Sequence, residues 1–209
     1  MSVLLSYILR VLFDVVGIAV AMTLHEFVRA VVSVRMGDIR PKTQKTLTLN
    51  PLKHIEPIGF LLMLFFNYGW SRPLETDAAY YRDRRAGTLI TYITPTVFNL
   101  FVCALFSICA RVLAACSGGA AYSLAFVIPY SFFGIVARCN LCLAIFNVIP
   151  VAPMDGARVL EQFLSAKNRI TYGSYEKIYQ VILLLLMFTT ILQKFLDPVV
   201  NAIMKVLVG

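Results

Sequence analysis

Five long apolar stretches dominate the sequence of this 209-residue chain, at about residues 3–33, 57–70, 88–115, 122–152 and 178–208. A helix needs about 20 apolar residues to cross a hydrocarbon core of about 30 Å, so four of these stretches are long enough to span a bilayer. The stretch at 57–70 is shorter and predicts a re-entrant or interfacial segment. Hydrophobic residues make up 59% of the chain and charged residues 14%, against about 45–50% and about 25% in soluble domains. We therefore expect an integral membrane protein.

The net charge of +8 indicates a membrane topology rather than nucleic-acid binding. Lys and Arg residues number five in 34–56, four in 71–87, none in 116–121 and four in 153–177. Cytoplasmic loops of membrane proteins accumulate these residues. If the short stretch enters and leaves the membrane on one side, all three basic loops are cytoplasmic. We predict an all-α polytopic membrane protein with four spanning helices, one re-entrant segment, both termini outside and no nucleic-acid partner.

The remaining organisation is simple. Residues 39–50 alternate Thr with Leu and are bounded by Pro41 and Pro51, which predicts a short strand or β-hairpin. Non-helical backbone at membrane depth must be buried in protein or line a wet cavity, so we expect a polar cavity beside this segment. No repeat or composition shift marks a boundary, and residues 1–209 are predicted to form a single membrane domain.

Two polar blocks interrupt the apolar stretches. The first helix contains His25, Glu26 and Arg29 in the order His-Glu-x-x-Arg. A second His at the last position would share a helix face with the first and grip zinc, with the Glu as general base. The later block, 147–156, contains two prolines that open the end of a membrane helix and present Asp155. The predicted topology places both blocks at one depth, near the cytoplasmic face.

Together and in this order, the blocks resemble the site-2 protease family of intramembrane zinc metalloproteases, in its compact form without a PDZ domain. The resemblance covers most of the chain and includes Gly37-Asp38, the segments 49–59 and 69–73, and Pro95 with Asn99. It implies a site-2 protease-like core in the bacterial cytoplasmic membrane. It also implies a partner within the lipid bilayer, the transmembrane helix of a substrate or client protein.

The resemblance further implies roles for individual residues. His25 and Asp155 would be zinc ligands, and Glu26 would be the catalytic base that activates water. Asn99 and Asn147 are expected to support the site or the substrate backbone.

The chain departs from the family pattern at the second histidine ligand, where Arg29 stands. Arg keeps its proton and offers no lone pair to a metal. The two remaining ligands fall short of the three that a catalytic zinc site uses. His54, the only other histidine in the chain, is a weak substitute for the missing ligand and is expected near the mouth of the cavity. A second departure is Thr94, which stands where the family has Gly before Pro95.

The arginine at position 29 could itself compensate for the missing metal ion. A guanidinium in the metal position could pair with Asp155 and with Glu26, which would otherwise be buried and unpaired. We therefore predict a pseudoprotease that binds a membrane helix without cutting it. The alternative is an active intramembrane zinc metalloprotease with a non-standard third ligand. A transporter is less well supported, because the chain has no internal repeat.

Overall fold

The computed structural model describes residues 3–117 and 123–208, and every regular element in these two ranges is helical. In chain order the helices are α1 (Val3–Met36), α2 (Arg40–Thr43), α3 (Pro57–Phe66), α4 (Arg84–Ala115), α5 (Leu124–Asn147), α6 (Asp155–Glu161), α7 (Ala166–Ser174), α8 (Glu176–Phe188) and α9 (Ile191–Leu207). Two short 3-10 turns lie at Pro51–Lys53 and Ala78–Tyr80.

Three helices, α1, α4 and α5, have the length and hydropathy of membrane spans. The predicted fourth span, at 178–208, is instead divided into α8 and α9, whose axes differ in direction by 72°. The break lies at Thr189 and Thr190, where Thr190 adopts a left-handed conformation with φ of 58°. The described residues therefore hold three straight spans, or four if the bent pair is one span, and the protein is an integral membrane protein.

Helix α3 corresponds to the short apolar stretch. Its 10 residues extend only about 15 Å along the helix axis, too little to cross a bilayer. Pro57 suits the first turn of a helix, and the Glu56 side chain caps that turn by accepting a hydrogen bond from the Gly59 amide at 2.6 Å. The helix ends at Asn67, whose φ of 65° reverses the chain direction.

The predicted β-hairpin at 39–50 is wrong, because the described residues of this segment form no strand. The ring of Pro41 fixes φ near the helical value, so this residue lies in the single turn of α2 instead of in a strand. The Pro41 carbonyl then accepts hydrogen bonds from the amides of Thr46 and Leu47 at 3.0 and 3.2 Å. These local hydrogen bonds occupy the amides of Thr46 and Leu47, which in a strand would donate to a neighbouring strand.

A glycine explains how α1 ends. Gly37 has φ of +125°, and its amide and that of Asp38 return to the carbonyls of Val34 and Ser33 at 3.1 Å each. This is the double hydrogen-bond pattern of a glycine-terminated helix. The fully buried Asp38 carboxylate then binds the following loop through the amides of Arg40 and Asp77, both at 2.9 Å. The Gly-Asp pair therefore fixes the exit of α1 from the bundle.

The core lies where α1, α4 and α5 pack against one another. Close approach of α1 and α5 occurs at Gly17, where a Cβ would lie 3.1 Å from Cys139 Sγ. Large side chains that include Met22, Leu141 and Phe146 fill the space around this crossing. The bundle positions the polar residues of α1 in its interior instead of against lipid.

Candidate metal centre

His25 lies in the middle of the three-helix bundle and is fully buried. The Asn99 side chain of α4 donates from Nδ2 to the Ala21 carbonyl at 3.3 Å, so its Oδ1 faces His25 Nδ1, also at 3.3 Å. An oxygen acceptor at this position places the imidazole proton on Nδ1. His25 Nε2 then faces the centre of the site.

Asp155 reaches the same centre from the other block. It is the first residue of α6, after the turn that follows α5, and its Oδ2 lies 2.9 Å from His25 Nε2. The turn is tight, since a Cβ on Gly156 would lie 2.3 Å from the Val148 carbonyl oxygen. Only glycine lets α6 approach the end of α5 this closely. The structure thus brings together the two residues that the sequence predicts as ligands.

Arg29 occupies the space between the two candidate ligands. Its Nη2 lies 2.8 Å from His25 Nε2 and donates to Asp155 Oδ1. Its Nη1 donates to both carboxylate oxygens of Glu26 at 2.9 Å. The guanidinium also lies over the Tyr92 ring, with 5.2 Å to the centroid. One arginine therefore connects both predicted ligands and the predicted base.

Asp155 lies at the start of α6, outside the spanning helices, and is 2% exposed. Burial alone would raise its pKa, but the charge of Arg29 outweighs this effect and holds the pKa of the carboxyl below its usual range. Asp155 therefore stays ionised, and Arg29 is its counterion.

Glu26 has a second partner that the sequence did not indicate. The Ser71 hydroxyl donates to its Oε1 at 2.5 Å, so both oxygens of Glu26 are engaged. A close contact between α3 and the chain that follows it positions Ser71 beside Glu26. A Cβ on Gly59 would lie 2.0 Å from the Trp70 carbonyl oxygen, and one on Gly69 would lie 2.0 Å from the Gly59 carbonyl oxygen. The two glycines allow this contact, but their pairing is visible only in the folded structure.

The two other predicted site residues contact neither ligand. His54 is buried, and its Nε2 lies 2.7 Å from the Thr48 carbonyl, while its own carbonyl accepts from the Arg72 amide at 2.8 Å. Asn147 donates to the Leu143 carbonyl of its own helix at 2.9 Å. In this structure His54 ties the loop to the segment that carries Ser71, and Asn147 stabilises the end of α5.

Comparison with known proteins agrees with these motifs. The sequence model of peptidase family M50 matches residues 18–190. The chain belongs to peptidase family M50. This is the site-2 protease family that the motifs resemble. The chain is also 32% identical over 194 residues to the Bacillus subtilis (strain 168) protein named "Putative zinc metalloprotease YwhC", an alignment that covers 90% of this chain and 85% of that protein. No solved structure gives a significant match to the chain.

The zinc ion that the M50 family implies does not fit these residues. The described part of the chain contains no group of three or more His, Cys, Asp or Glu side chains that could hold a metal ion. A zinc ion would lie about 2.0–2.1 Å from the ligating histidine nitrogen, where Arg29 Nη2 already stands at 2.8 Å. The guanidinium and a metal ion therefore exclude each other at His25 Nε2.

A cavity of about 730 Å³ opens beside this M50 site. Arg29, Tyr92 and Asp155 form its inner wall. Farther out its lining includes Arg158 and Glu161, which pair at 3.0 Å. The cavity is thus polar and charged, and it leads to the position that a metal ion would take in an intact site.

Proposed function

We propose that this M50 protein is a pseudoprotease that binds the transmembrane helix of a client protein and does not hydrolyse it. The observation that carries the proposal is the position of the Arg29 guanidinium between His25 and Asp155. Catalytic zinc works as a Lewis acid or as the source of a metal-bound hydroxide. A guanidinium does neither, because it has no open coordination position and no lone pair.

Glu26 is also unsuited to the role of general base in this arrangement. Both of its oxygens accept hydrogen bonds from Arg29, and Oε1 accepts another from Ser71. A base must lie within hydrogen-bond reach of the proton that it removes, and these partners occupy the positions that a water would need.

Binding of a client helix is supported by the surroundings of the site. The cavity beside Arg29 has a volume of about 730 Å³, which is typical of small-molecule sites, so it would admit a short segment of the client rather than a whole helix. Nearby, α3 exposes Ile58, Leu61 and Phe65 at 58%, 51% and 72%, on one face of the helix. An apolar face of this kind suits contact with a membrane helix. The charge distribution of the loops supports a cytoplasmic position for this side of the protein.

Metal content tests the proposal directly. The full-length protein and the variants Arg29→His, Arg29→Gln and Arg29→His with Asp155→Asn would be purified in detergent with added zinc, and bound zinc would be measured by elemental mass spectrometry. We expect no tightly bound zinc in the unchanged protein, about one ion per chain in Arg29→His, and loss of that ion when Asp155 is also replaced. Arg29→Gln removes the cation without adding a ligand and should stay free of zinc.

One tightly bound zinc per chain in the unchanged protein would refute the proposal. It would favour the alternative, an active intramembrane protease with a non-standard third ligand. Capture of a membrane helix is tested separately, with a photo-crosslinking residue at Thr88 in the cavity and at the exposed Gly173 as control. We expect an intact crosslinked client at Thr88 only, and cleavage fragments of the client would contradict the proposal.

A further inference from the structure

A second cavity lies between α1, α5 and α9. Its volume is about 750 Å³, and it shares no lining residue with the cavity beside Arg29. Apolar side chains that include Leu9, Phe13, Ile135 and Met204 form much of its wall. No residue of the candidate metal centre lines this second cavity, so a ligand bound here would be separate from that centre.

The charges that line this second cavity are mainly positive. Arg10, Arg138 and Lys205 supply three cations, and Asp14 supplies the single carboxylate among the lining residues. Asp14 lies 3.9 Å from Arg10. Arg138 donates from Nη1 to the Asn201 amide oxygen at 2.8 Å. Within residues 3–117 and 123–208, no carboxylate lies within 4.0 Å of Arg138 or Lys205.

A further acidic residue close to this region, Asp197, has a different partner. Asp197 lies one helical turn before Asn201 on α9 and accepts a hydrogen bond from the Tyr68 hydroxyl at 2.7 Å. A cation on a spanning helix, such as Arg138 on α5, marks a candidate functional site. The arrangement thus leaves a surplus of positive charge against an apolar wall.

The depth of Arg10 is compatible with the headgroups of a bilayer. Arg10 and Arg35 are two basic residues of α1 that lie 25 residues apart. At 1.5 Å per residue this separation is about 37 Å along the helix. A bilayer measures about 30 Å across its hydrocarbon core and about 40–45 Å with its headgroups. Arg10 is therefore at headgroup depth when Arg35 is at the opposite surface.

From these observations we propose that the second cavity is a binding site for an anionic phospholipid. Its phosphate is bound by Arg10, Arg138 and Lys205, and an acyl chain lies against the apolar wall of α5. Guanidinium groups bind phosphate through paired, charge-assisted hydrogen bonds. Basic pockets between membrane helices recognise lipid headgroups by this chemistry. The site does not depend on the proposed loss of zinc.

A larger side chain at Gly134 would fill the cavity without changing its charged residues. It lines the cavity on α5, and a Cβ built there has no other atom within 4 Å. Gly134→Leu would therefore fill the space of the acyl chain without a clash at its first atom. Gly173 of α7 is also open on this measure and lies outside the cavity. Gly173→Leu is thus the matched control.

The charges can be removed with a matched control as well. Arg10→Gln with Lys205→Gln removes two cations at the exposed rim of the cavity. Arg111→Gln is the control, since Arg111 is exposed on α4, donates to the Val206 carbonyl at 3.2 Å and does not line the cavity. Arg138→Gln completes the series, and the rim variants keep the test informative if this change prevents folding.

The experiment is a titration of the full chain in detergent with phosphatidylglycerol, followed by native mass spectrometry. Phosphatidylcholine and inorganic phosphate are titrated in parallel. We expect one phosphatidylglycerol per chain, little phosphatidylcholine and no stable phosphate adduct. A hydrogen bond to a charged group is worth about 1.5–3 kcal/mol, so the rim variant should bind at least about tenfold more weakly. Gly134→Leu should lose the lipid, while both controls keep it.

Three results would overturn the proposal. Equal binding of phosphatidylcholine would mean that the positive charges do not select the headgroup. Equal binding of inorganic phosphate would indicate a simple anion site with no role for the acyl chain. Unchanged phosphatidylglycerol binding in Gly134→Leu and in the rim variant would place the lipid elsewhere on the protein.

Discussion

Replacing Arg29 by methionine should destabilise the protein strongly, because it leaves two buried carboxylates without a counterion. The Arg29 side chain is 4% exposed, and it contacts both oxygens of Glu26 at 2.9 Å together with Asp155. Methionine retains an apolar chain in the same space but provides no donor. Removal of one partner from a buried ion pair costs about 3–5 kcal/mol. We expect the free energy of unfolding to fall by about this amount.

An exposed ion pair close to the site provides the control. Arg158 pairs with Glu161 at 3.0 Å, a distance similar to that between Arg29 and Glu26, but its side chain is 45% exposed. Pairs of this kind contribute about 0.2–1 kcal/mol. Arg158→Met should therefore lower the free energy of unfolding several times less than Arg29→Met, although both variants lose the same charge.

The single tryptophan makes both changes measurable. Trp70 precedes Ser71, whose hydroxyl donates to Glu26, so its fluorescence reports on the site during denaturant unfolding in detergent. If Arg29→Met is no more destabilising than the Arg158 control, the ion-pair argument is wrong. Adding Glu26→Gln and Asp155→Asn to Arg29→Met should restore most of the stability. Failure of that rescue would assign the loss to packing rather than to uncompensated charge.

Three further predictions concern the contacts that build the site. Gly156→Ala should sharply lower the melting temperature in detergent, because its Cβ would lie 2.3 and 2.6 Å from two carbonyl oxygens, whereas Gly173→Ala should not. Ser71→Ala removes a hydrogen bond to a charged group and should lower the free energy of unfolding by about 1.5–3 kcal/mol, measured by tryptophan fluorescence; an unchanged midpoint would contradict this. In the Arg29→His background, Asn99→Ala should weaken zinc binding about 10–100-fold in a chelator competition, because the histidine loses the partner that orients it; unchanged affinity would show that Asn99 has no such role.

The long helices could be predicted from the sequence because their signal is local. Continuous apolar stretches predicted α1, α4 and α5 and the shortness of α3. The bend between α8 and α9 was not predictable, because neither Gly nor Pro marks it and Thr190 adopts its left-handed conformation without a sequence signal. The hairpin prediction at 39–50 failed because alternation of Thr and Leu was given more weight than Pro41, which favours a helical turn.

Some contacts of the candidate site could likewise be predicted from the sequence, and others could not. The approach of His25 to Asp155 could be predicted, since both blocks lie at one end of spanning helices and the loop charges place those ends on one side. The contact between Ser71 and Glu26 could not, because it depends on the packing of two glycines 10 residues apart, Gly59 and Gly69. His54 shows the limit of assigning roles by residue type. Its burial and its bond to the Thr48 carbonyl depend on the path of the loop.

On the proposed function, the change at position 29 exchanges one cation for another, which explains how the architecture of the site can persist without a metal. Glu26 and Asp155 are 1% and 2% exposed, and buried carboxylates require a positive partner whatever its source. Zinc would supply that charge together with an open coordination position. The guanidinium supplies the charge alone, and both of its terminal nitrogens are engaged by His25, Asp155 and Glu26. On the proposed function, these contacts therefore hold α1 against α4 and α6, and the polar cavity beside Arg29 remains available for binding.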